Sequence, residues 1–64
     1  MNAMEIFHKY YQYLTSEALE DDDGLYHIVL HVKKDEISQE DQKELHKLGY
    51  YWQEEFGAWC KRLS

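Results

Sequence analysis

The chain has 64 residues, a formal charge of −6 from 13 acidic and 7 basic side chains, one cysteine and no proline. This length allows one domain, 1–64, that buries roughly 60% of the surface its unfolded chain exposes. The single cysteine excludes an intrachain disulfide, and the negative charge repels a phosphate backbone, which makes nucleic acid a disfavoured partner.

The apolar mass has to come from six tyrosines, two tryptophans and two phenylalanines, each burying on the order of 150–250 Å². A second copy of the chain is the other way to complete so small a core. The longest mostly apolar run, Leu25 to Val32, is too short to cross a bilayer. The opening MNAMEIFHKYYQYL lacks the basic start and unbroken apolar stretch of a signal peptide. No membrane partner and a cytoplasmic location are therefore expected.

In chain order, Met4, Phe7, Tyr11, Leu14 and Ala18 recur at steps of three and four, which predicts a helix from Asn2 to Leu19, its stripe widened by Ile6, Tyr10 and Tyr13. EDDDG (Glu20 to Gly24) stops it, because carboxylates repel one another beside a helix C-terminus. LYHIVLHVKK then reads as a strand. Tyr26, Ile28, Leu30 and Val32 are expected on its core face, with His27, Val29 and His31 opposite.

Ser38 is placed to cap a second helix, with Asp41 in a shortened capping box and Gly49 closing its C-terminus. Leu45, Leu48 and Ile37 are its core contacts. YYWQ and AWCKRL around EEFG form a β-hairpin in which Gln53 faces Ala58, Trp52 faces Trp59 and Tyr51 faces Cys60. The expected fold class is α+β in the order α-β-α-β-β, a small three-stranded sheet with two helices on one face.

Catalysis and metal binding find little support. His27 and His31 share a strand face but stand roughly 13 Å apart, too far for one ion. His8 and His46 have no second ligand at helical spacing, and EDDDG lacks the alternating oxygens of a calcium loop. Cys60 falls mid-strand, where thiols act as small core fillers. No catalytic residue, metal or cofactor is expected. Glu17, Glu20, Asp21, Asp22 and Asp23 form an acidic patch that reads as a solvated loop or, alternatively, as a carboxylate mimic of DNA that inhibits a nucleic-acid enzyme.

LGYYWQEEFGAWCK, preceded by KELHKLG, resembles over residues 44–61 a helix-plus-hairpin module with an LGxxW…W motif. That module is appended to primase-, topoisomerase- and helicase-like proteins of bacteria and mobile elements. The matching residues are Gly49, Trp52 and Trp59. The resemblance implies a structural hairpin and a nucleic-acid-associated role, for which Lys61 and Arg62, beside the aromatics, are the candidate contacts.

Taken together, the residues point to a small acidic, non-catalytic accessory protein of phage or plasmid type that binds another protein, with a homodimer included. Tyr10, Tyr11, Tyr13, Tyr50 and Tyr51 are the expected interaction surface, since tyrosine is favoured where proteins meet.

Overall fold

In the computed structural model, residues 2–64 are described. The element order is α1 (Ala3–Phe7), β1 (Thr15–Asp21), β2 (Gly24–Leu30), a 3₁₀ turn at Lys34–Glu36, α2 (Gln39–Lys47), β3 (Tyr50–Gln53) and β4 (Ala58–Arg62). The strands form one four-stranded antiparallel sheet ordered β1-β2-β4-β3. The α+β class therefore holds, and the sheet has one strand more than the sequence suggested.

The extra strand comes from the second half of the expected long helix. Asn2 caps α1 by accepting the Glu5 N–H at 3.0 Å, and the helix ends at Phe7. Beyond it, Tyr10, Tyr11, Tyr13 and Thr15 are poor helix formers, and the His8 ring donates to the Tyr11 carbonyl at 3.0 Å. Thr15 to Asp21 instead pairs along its whole length with β2, from Thr15↔Leu30 to Asp21↔Gly24. Asp22 and Asp23 are the two residues of the connecting turn, so EDDDG closes a hairpin. Gly24 allows it: its φ is +137°, and a Cβ there would lie 2.2 Å from the Ser64 carbonyl oxygen.

The face assignment of β2 is corrected as well. The main core lies on the face of Val29, where Ala3, Ile6 and Phe7 of α1, Leu45 of α2, and Tyr50 and Trp59 of the hairpin meet. Both helices thus share one face of the sheet. Tyr26, Ile28 and Leu30 point to the opposite face, into a smaller cluster with Ala58 and Cys60. Val32 nevertheless joins the main core, because His31 has a φ of +65° and breaks the strand's alternation just beyond Leu30.

The α2 and hairpin expectations match the structure closely. The Ser38 hydroxyl accepts the Asp41 N–H at 3.2 Å, Leu45 and Ile37 are buried, and Leu48 is partly buried. The β3–β4 register is Gln53↔Ala58, Trp52↔Trp59, Tyr51↔Cys60. The two indoles meet edge-on, with centroids 6.0 Å apart at 72°.

Candidate interaction surfaces

One polar cluster ties the two helical segments together. Lys9 Nζ donates to both oxygens of Asp41 at 3.0 and 2.8 Å, and the Tyr10 hydroxyl donates to Asp41 at 2.5 Å while accepting the Ser38 N–H at 3.1 Å. Asp41 is nearly enclosed, its side chain 12% exposed against 50% for Lys9. Hydrogen bonds from Lys9, then from Tyr10, hold the Asp41 carboxyl below the ordinary carboxylate range, and the same pair raises Lys9. The contribution of Asp41 is therefore present above the unfolded carboxylate value of about 3.9 and fades as pH falls through its lower folded value. Thermal unfolding from pH 7 to pH 2 should show a steep acid limb below about pH 4. Asp41→Asn should lower the midpoint by several degrees at pH 7 and flatten that limb. Superimposable acid limbs for the two proteins would contradict this role.

The five tyrosines do not share one surface. Tyr50 is buried, 7% exposed, and its hydroxyl shares a hydrogen bond of 2.6 Å with His27 Nδ1. Burial pushes the Tyr50 phenol up. Tyr10 is spent on the Asp41 cluster. Tyr11 packs against the core with its hydroxyl buried beside Glu36, whose carboxylate is the main cause of its raised pKa, in no hydrogen bond of good geometry among the described residues. Tyr51 stacks on His46 at 5.0 Å and stays half exposed, and Tyr13 is 84% exposed.

The cations named for nucleic acid also separate. Lys61 lies 6.0 Å over the Tyr50 ring, on the helix-covered face. Arg62, next along β4, points the other way and donates to the carbonyls of Asp23 at 2.5 Å and Ser64 at 3.3 Å. Trp52 is partly buried and Trp59 fully so. The hairpin therefore presents no indole beside a free pair of cations among the described residues. Of the acidic patch, Glu17, Glu20 and Asp21 lie on β1, and Asp22 and Asp23 form its turn, where Asp21 Oδ1 accepts the Asp23 N–H at 2.8 Å.

Two surfaces not anticipated from the residues remain. The first is the sheet face away from the helices. Ile28, Ala58 and Cys60 are buried there under Leu19, Tyr26, Leu30 and Phe56, and no residue of α1 or α2 joins them. Phe56 folds back from the hairpin turn to meet Tyr26 with centroids 6.0 Å apart. Burial, and secondarily the charge of Glu55, raises the Cys60 thiol, so it is held protonated as a core filler. The second surface is the outer edge of β1, exposed at every residue except Leu19.

Among the described residues, no group of three or more His, Cys, Asp or Glu side chains is placed to hold a metal ion, and no helix is long and apolar enough to cross a membrane. Comparison with protein-family models finds no match, and neither do comparisons with curated proteins and with solved structures.

Proposed function

We propose that this is a small, acidic, non-catalytic accessory protein that acts by binding another protein through the helix-free face of its sheet. One observation carries the reading: both helices pack on one face, while an apolar cluster on the other is covered, among the described residues, only by its own rim of Leu19, Tyr26, Leu30 and Phe56. A shallow groove lined by Leu30, His31, Val32, Lys33, Phe56 and Gly57 runs along one end of that rim. Glu17 and Glu55 border the cluster. With the chain's charge of −6, they favour a partner segment that sets apolar side chains on the face and Lys or Arg at its margins.

Paired affinity capture tests this. The wild type is compared with Leu30→Lys and Phe56→Ser, both checked for a native circular-dichroism spectrum. The wild type should retain a partner from host lysate that washes off in high salt, and each variant should lose about 10-fold or more of it, in line with an apolar anchor worth at least 1.4 kcal/mol. Equal recovery on all three proteins would overturn the assignment of this face.

A further inference from the structure

The outer edge of β1 has no strand paired to it among the described residues. Leu25 directs its backbone towards the end of β4, donating to the Ser64 carbonyl at 3.2 Å and accepting the Leu63 N–H at 2.7 Å. Leu25 is the register partner of Glu20, so Glu20 spends neither backbone group on β2. Antiparallel ladders alternate, so the N–H and C=O groups of Ser16, Ala18 and Glu20 all face outward. An edge of this kind is a template for another strand.

We infer that the occupant is a second copy of this chain, joined through β1 about a two-fold axis at Ala18. The strand reads TSEALED, with hydroxyls at its first two positions, carboxylates at its last two, and Glu17 and Leu19 on either side of Ala18. Antiparallel pairing centred on Ala18 sets Ser16 opposite Glu20 of the second copy and Thr15 opposite its Asp21. Glu17 then faces Leu19, and Ala18 faces itself. Hydroxyl donors meet carboxylate acceptors, no carboxylate stands directly across from another, and the small Ala18 side chains clear the axis. The outward groups of Ser16, Ala18 and Glu20 then find partners in kind, with reciprocal hydrogen bonds at Ala18 and between Ser16 and Glu20.

Neighbouring two-fold registers fail on charge. Moving the axis one residue back sets Glu17 against Glu17, and one residue forward sets Glu17 against Asp21, where like charges destabilise a strand pair. In the Ala18 register the acidic turns at Asp22 lie roughly 25 Å apart, at about 3.4 Å per residue, well beyond the screening length at physiological salt. The Leu19 side chains become diagonal neighbours on the helix-free face, so the two apolar clusters join across an eight-stranded sheet. The dimer leaves that face open, and it stands whether or not another protein binds there.

The contact engages seven residues of each copy, few beside the roughly 20–30 of a standard interface, so a dissociation constant on the order of 0.1 mM is expected. With −6 on each copy, association should strengthen about threefold or more as salt is raised from about 0.02 to 0.5 M.

Sedimentation equilibrium at about 1 mM protein should find a dimer for the wild type. Ala18→Glu, which sets a carboxylate against its own copy at an exposed position, should be monomeric with an unchanged unfolding midpoint. Cross-linking reads the register independently of folding stability. Under a mild oxidant Ala18→Cys should form a covalent dimer, because hydrogen-bonded partners stand about 5.5 Å apart between Cα atoms. Ser16→Cys and Glu20→Cys should each remain uncoupled alone and couple when mixed. The wild type, whose Cys60 is buried, should not cross-link. A monomeric wild type at 1 mM, a dimer unaffected by Ala18→Glu, or coupling of Ser16→Cys with itself would each overturn the inference.

Discussion

Trp59→Ala is expected to cost about 3–5 kcal/mol and to leave the domain largely unfolded at 25 °C. Trp59 has no exposed surface and stands at the centre of the main core, with ring centroids 6.0 Å from Trp52, 6.1 Å from His46 and 6.3 Å from Phe7. A chain of this length has only about 3–10 kcal/mol of total stability, at roughly 0.05–0.15 kcal/mol per residue. The indole N–H is buried without a hydrogen-bond partner among the described residues, so the site is selected for ring volume and gains nothing from the polar atom. Trp59→Phe should therefore cost much less, about 1–2 kcal/mol, because the smaller ring leaves a cavity but removes an unpaired donor. Urea unfolding followed by far-ultraviolet circular dichroism separates the two variants. A cooperative transition for Trp59→Ala within about 1 kcal/mol of the wild type would mean that the hairpin does not anchor this core.

The parts of the fold legible in the sequence are those fixed by neighbours along the chain. A capping serine, acids in the first turn, a basic last turn and Gly49 at φ +93° define α2 within one short stretch. A four-residue connection ending in Gly57 at φ +60° then sets the register of the tryptophan hairpin. β1 was hidden because Ala18 and Leu19 fit a helical stripe as readily as a strand, and what makes Thr15–Asp21 extended is a ladder to β2 rather than any local preference. The side of β2 that carries the main core was hidden for a related reason. Both faces of that strand are apolar, and the break in alternation rests on one backbone angle at His31.

The interaction surfaces were less legible than the fold. Tyrosine content signals surface to be covered, but says nothing of which hydroxyl finds an internal partner. Tyr10 meets Asp41 across 31 positions of sequence, and Tyr50 meets His27 across 23, so both are withdrawn from solvent by contacts that no local pattern announces. The hydroxyl pair at one end of TSEALED and the acid pair at the other are plain in the sequence. They acquire meaning only when the strand is known to be extended, at the edge, and pointing the backbone of Ser16, Ala18 and Glu20 outward.

Phe7→Ala is the second substitution with a large expected effect, about 3–5 kcal/mol, and its consequence reaches beyond the cavity. A helix of five residues has no stability of its own in water, since nucleation costs more than so few hydrogen bonds return. Segment α1 is held by what it buries: Ala3, Ile6 and Phe7 in the main core, with the Phe7 ring edge-on to Tyr50 at 5.9 Å. Losing that ring should release α1 from the sheet and with it the Lys9–Asp41 contact 32 positions away. The urea midpoint should fall by about 3 M or more, taking a slope near 1 kcal/mol per M for a domain this small. In Phe7→Ala the additional loss from Asp41→Asn should largely vanish, because a detached α1 no longer presents Lys9 to the carboxylate. Full additivity of the two substitutions would show that Lys9 and Tyr10 are held against α2 by something other than the burial of Phe7.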